Sequence, residues 1–277
     1  LELFVKGSKS QTDLCLCYMA DRVPQSLIAQ IKARLDEMEL ESILSSGYLQ
    51  PFLENRRGCL FDTVGTTQRP DVLCAKLLEG RVGLLIDGTP FALVIPKLFC
   101  ESFQTMDDYC YRPAYATLVR WIKYAAFLVA VLLPALYVAI ALHHPELLNR
   151  TLLLILADAE ENAPISLTAE AIGVLLVYEI IREAGLRLPK AVGGAVSIVA
   201  GLIIGDAAVA SGLISTPMLT VTAIAVIAGF VVPDLAQSIT LLRLAFLLIA
   251  GFWGLFGISL LGAAVLFNLC AGESFGF

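Results

Sequence analysis

Polar and apolar residues alternate through Thr12–Met19 (TDLCLCYM), with Leu14 and Leu16 at every second place, and this period predicts a strand. Between Ser26 and Met38 the apolar positions shift to helical spacing, at Leu27, Ile28, Ile31, Leu35 and Met38. Pro24 lies just ahead of that run, and Ser26 is the expected cap. Gly47 and Pro51 then punctuate the chain. A short helix is expected from Asp71, a residue suited to capping, to Gly80, a residue suited to a helix stop. Two apolar runs follow, Val82–Ile86 and Phe91–Ile95, separated by Asp87-Gly88-Thr89-Pro90. Asp-Gly between such runs predicts a tight turn and a hairpin. The same stretch lacks the Gly-rich run and the Lys-Ser/Thr of a phosphate-cradling loop, so the turn is the preferred reading.

Past Lys123 the pattern changes in kind. A hydrocarbon core of about 30 Å needs roughly 20 apolar residues in a helix, and five stretches approach that: 124–142, 165–181, 191–213, 218–232 and 244–267. The first carries Pro134 as an expected kink and follows Arg120, Trp121 and Lys123, which suit an interface anchor. The fourth is short and ends at Pro233-Asp234; the last is free of charge throughout. Four or five spans are therefore expected. Arg120 and Lys123 before the first span, and Arg182, Arg187 and Lys190 between the second and third, place those ends on the cytoplasmic side. The acidic connection 143–164 then lies outside.

Composition agrees. Apolar residues make up 58% of the 277, against roughly 45–50% for ordinary soluble domains, and the mean hydropathy is +0.80. Charged residues crowd into residues 1–123 and thin out afterwards. The fold class expected is an α/β cytoplasmic domain, 1–123, followed by an all-α polytopic membrane bundle, 124–277. The chain opens at Leu1 with no charged-then-apolar leader and is read as a fragment of a longer protein. Seven scattered cysteines with no C-x-x-C pair suggest thiols rather than a disulfide framework. A net charge of −6 without basic clusters argues against nucleic acid.

Candidate chemistry is sparse. Both histidines, His143 and His144, lie outside the first domain, so no Ser-His pair or His-based metal site can be assembled there. No catalytic residues, cofactor or metal are expected, and the protein is read as a non-enzyme. Ionisable residues inside spans usually face a bundle interior or a water-filled path, which singles out Glu170, Glu179 and Asp206 as candidate ion-path residues. The structural alternative is internal pairing; Glu179 stands three positions before Arg182. Gly193, Ser197, Gly201 and Gly205 recur every four residues, a small-residue stripe suited to close helix packing, within one subunit or between copies.

The rows TTQRPDVLCAKLLEGRVGLLIDGTPFALVIPKLF, LLPALYVAI, EIIREAGLRLPKAVGGAVSIVAGLIIGDAAV and FWGLFGISLLG closely resemble the GerA family. The likeness runs from about Val64 to the C-terminal end, with a weaker match in KGSKSQTDLCLCYM. It implies an A-type subunit of a spore nutrient-germinant receptor in the spore inner membrane, multi-pass, with its N-terminal domain cytoplasmic. The partners implied are a transporter-like B subunit, a lipoprotein C subunit and further copies of itself, assembled as a nutrient-gated ion channel. Gln68 stands where the family often has an acidic residue before Arg69-Pro70-Asp71. Two alternatives stand beside this reading: a small-solute or ion transporter, and a sporulation-specific accessory membrane protein of the same family. The transporter alternative would want broken helices and inverted repeats, and no such repeat is visible.

Overall fold

The computed structural model describes residues 1–277 except 55–59, 162–164, 272–274 and 276–277; within helices the side chains of 152, 155, 158–161, 190–197 and 200 also lie outside the described set. The chain divides into two compact units, Leu1–Pro113 with Leu266–Phe277, and Ala114–Val265.

In the first unit the order is β1 Glu2–Lys6, β2 Thr12–Cys17, α1 Gln25–Asp36, α2 Gln50–Leu53, β3 Gly65–Thr67, α3 Pro70–Leu78, β4 Val82–Ile86 and β5 Ala92–Ile95. The strands form one antiparallel sheet in the order β1-β2-β4-β5-β3. Leu14 and Leu16 of β2 share a face with Val82, Leu84 and Ile86 of β4 and Leu93 and Ile95 of β5, because side chains two apart on a strand point the same way. The apolar stripe of α1 (Leu27, Ile28, Ile31, Leu35) covers that face. Phe275 completes this core, with the Arg34 guanidinium over its ring at 4.2 Å. On the opposite face α3 lies against β4 at Gly83, where a Cβ would meet Leu73 Cδ1 at 2.8 Å. The predicted strand, helices and hairpin are all present. Gly80 ends α3 with φ +89° and Gly88 turns the hairpin with φ +79°.

Two cap assignments are corrected. Pro24, not Ser26, occupies the N-cap of α1, and Ser26 lies inside its first turn. Arg69 occupies the N-cap of α3, with Pro70 at the first helical position and Asp71 in the first turn.

The second unit contains α4 Pro113–His143, α5 Arg150–Glu161, α6 Leu167–Arg187, α7 Lys190–Ala210, α8 Thr216–Phe230 and α9 Ala236–Ala271. Val138 of α4, Leu167, Ala171 and Leu175 of α6, Met218 of α8 and Leu247 of α9 form its core. Among the described residues two helices are long and apolar enough to cross a membrane, over Pro113–His143 and Pro233–Ala271. The stretch around Glu170 and Glu179 is a helix of 21 residues, but it carries those carboxylates together with Arg182 and Glu183. Helix α8, with 15 residues, rises about 22 Å, short of the hydrocarbon thickness. The expected span 244–267 is not one continuous helix: Gly254 breaks it with φ +58° and ψ −144°. A glycine can take that conformation without a Cβ penalty, and here it also admits the ring of His143, which would stand 2.9 Å from a Cβ. Helix α5 forms within the connection that the charge pattern marks as a loop.

Candidate functional site

Among the described residues of the helical unit, Glu170 and Glu179 sit in two separate polar clusters. Glu170 sits in the first turn of α6 and is 2% exposed. Its carboxylate accepts hydrogen bonds from the Ser215 N–H at 2.6 Å and the Ser215 Oγ at 2.7 Å. Ser215 is the N-cap of α8. The carboxylate therefore lies at the N-terminal ends of two helices, where the peptide dipoles favour negative charge.

The second cluster lies further along α6. Glu179 Oε2 pairs with Arg182 Nη2 at 2.6 Å, the three-residue spacing placing both on one side of the helix. Its Oε1 accepts a bond from Thr240 Oγ1 of α9 at 2.9 Å. One turn beyond Thr240, Arg243 is buried at 4% exposure. Arg182 Nε is buried without a hydrogen-bond partner among the described residues, leaving a donor available in this layer. An open groove is lined by Leu176, Glu179, Ile180 and Glu183.

Asp206 belongs to neither cluster. It is exposed on α7, four positions after Leu202 and eight after Ile198, both more than 70% exposed. The three stand on one stripe of the helix. Of the small residues on α7, Gly193 and Ser197 have side-chain surroundings outside the described residues. Gly201 has nothing within 4 Å of a would-be Cβ, and Gly205 faces Leu219 of α8 at 3.8 Å. The three acidic residues are thus separated by the fold into a buried cap, a paired polar layer and an exposed face. The participation of Arg243 is not apparent from its place at the start of an apolar run; the signal was Pro134, which removes a backbone donor from the helix opposite.

In the N-terminal unit the notable arrangement is ionic. Arg69 reaches Asp71 through both Nε and Nη2, at 3.2 and 2.8 Å, and Asp107 through Nη1 at 3.2 Å. Arg81 donates to the Pro96 carbonyl at 2.8 Å and pairs with Glu101 at 2.5 Å, and Lys76 adds contacts to Glu79 and Glu101 at 2.9 and 3.4 Å. The Arg69 guanidinium holds the Asp71 carboxyl below the usual carboxylate range. The contribution of that pair is full above the unfolded value, near 3.9, and is lost as pH falls through the folded one. Asp71→Asn is accordingly expected to lose less stability than the parent on acidification below about pH 4, read from melting midpoints across a pH series; identical acid profiles would show the pair to be inert. Burial, followed by the neighbouring Cys15 thiol at 3.7 Å, pushes the Cys17 thiol up to about 11, so it stays protonated at neutral pH.

A small antiparallel α/β unit and a helical unit with two helices long and apolar enough to cross a membrane define the class: a two-unit chain whose helical part is suited to membrane association. The chain matches the family described as Bacillus/Clostridium GerA spore germination protein over residues 1–277, and it belongs to that family. It is 38% identical over 279 residues to spore germination protein KA of Bacillus subtilis (strain 168), covering 100% of this chain and 51% of that protein. It is 34% identical over 259 residues to spore germination protein GerLA of Bacillus cereus, covering 93% and 53%. The chain thus spans about half the length of these relatives. A crystal structure of the N-terminal domain of the A subunit of the Bacillus megaterium spore germinant receptor GerK3 aligns with 35% of this chain and 38% of its own, at 38% identity and a TM-score of 0.28.

Proposed function

We propose that the chain is the membrane-embedded part, with an adjoining cytoplasmic domain, of an A-type germinant-receptor subunit that oligomerises as a nutrient-gated ion channel. Family membership supports the receptor assignment. The observation that carries the channel reading is Asp206, an exposed carboxylate on a stripe otherwise formed by Ile198 and Leu202. A carboxylate is too costly to leave facing lipid, so this stripe faces water or another subunit. In an assembly around a common axis it lines a shared cation path, and Gly201, with nothing within 4 Å of a would-be Cβ, leaves room for a second copy to approach. Glu179, held by Arg182 and Thr240, supplies a second carboxylate along the groove, while Glu170 anchors α8. On this reading α6, α7 and α8 cross or re-enter the bilayer with α4 and α9, giving four or five passes, multi-pass in the spore inner membrane. A transporter-like B subunit and a lipoprotein C subunit are the partners.

The oligomeric state of the full-length protein in mild detergent tests this. A stable assembly of several copies is expected, and Asp206→Asn should leave it intact while reducing cation flux after reconstitution in liposomes. A strictly monomeric protein that still conducts would exclude a shared path and favour the transporter reading.

A further inference from the structure

Proline has no N–H, so Pro134 leaves the carbonyl of Ala130, four residues earlier in α4, without its helical donor. In an apolar bundle such a carbonyl must find a donor elsewhere. It finds one on α9: Arg243 Nε donates to the Ala130 carbonyl at 2.7 Å. The same guanidinium donates through Nη2 to the Ala225 carbonyl of α8 at 3.3 Å, within the last two turns of that helix, towards the negative end of its dipole. Space for the guanidinium comes from Gly229, where a Cβ would stand 3.3 Å from Nη2 and 3.9 Å from the Ala130 Cβ. The geometry points to a specific role: we propose that Arg243 is a positioning residue whose guanidinium replaces the backbone donor absent at Pro134, clamping the proline turn of α4 to α8 and α9. The clamp adjoins the Glu179–Arg182–Thr240 layer, since Thr240 lies one helical turn before Arg243. A displacement of α9 that withdraws the guanidinium therefore acts on the α4 turn and on the Glu179 layer together.

The substitution Pro134→Ala supplies the missing test. It restores an N–H to the Ala130 carbonyl, so the arginine should become dispensable in that background. For the full-length protein in detergent, Arg243→Met is expected to lower Tm by about 6 °C or more with Pro134 present, and by less than about 2 °C with Pro134→Ala. Equal losses in both backgrounds would overturn the proposal. If Arg243→Met yields no folded protein on its own, recovery of a monodisperse sample in the double variant counts as the same coupling, and no recovery counts against it. A second readout rests on the channel reading: potassium release from spores should be slowed in Arg243→Met and restored in the double variant. Coupled melting with unrestored release would retain the clamp and count against that reading, whereas uncoupled melting would remove the clamp whatever the release.

Discussion

Gly254→Val is expected to destabilise the protein by about 3–5 kcal/mol, enough to abolish a well-behaved sample in detergent. Two independent effects add at this position. The backbone holds φ +58° and ψ −144°, a region that a β-branched residue reaches only with strain. The incoming Cβ would also stand 2.9 Å from both Cβ and Cγ of His143, at the end of α4. That neighbour is the base of the side chain, which cannot move aside without moving the helix. Gly262→Val provides the control, since nothing lies within 4 Å of its would-be Cβ. Comparable melting of the two variants would show that the break in α9 is not a required feature of the fold.

The second large effect is expected at Glu170. Glu170→Ala strands the Ser215 N–H and Oγ, with Ser215 only 9% exposed, at a cost of about 2–4 kcal/mol. Glu170→Gln keeps one acceptor oxygen and should lose less than half as much. Ser215→Ala removes one donor, so the loss from Glu170→Ala should shrink in that background. Additive losses in this cycle, read from Tm, would mean that the carboxylate stabilises the bundle through something other than the α8 cap.

Much of the N-terminal unit is legible from pattern alone, because its signals are local. The alternation in TDLCLCYM, the helical spacing from Leu27 to Leu35 and the Asp87-Gly88 turn each fix one element, and the sheet assembles from them. β1 is harder to read: it pairs with β2 at the sheet edge and leaves Leu3 and Val5 exposed, so burial does not set its pattern. β3 has only three residues. In the helical unit, hydropathy locates α4 and α9, but it is silent on the break at Gly254, since a glycine among apolar residues reads the same in a straight helix as in a broken one. It is equally silent on partners. Glu170 stands out in sequence as a charge in an apolar run, yet Ser215, 45 positions later, is what satisfies it. Arg243 reads as a charge at the end of a span, yet it acts on a carbonyl 113 positions earlier. Such pairings depend on which helix faces which, information that periodicity does not contain.

Asp206 most directly tests whether an acidic face on this subunit belongs to a conducting path, because its exposure keeps the substitution from disturbing the core. Potassium release should be followed after nutrient addition to spores carrying the full-length protein with Asp206→Asn, with protein abundance checked. A severalfold slower release at unchanged abundance is the predicted result. Release at the parental rate from spores with normal protein levels would show that Asp206 does not line a conducting path.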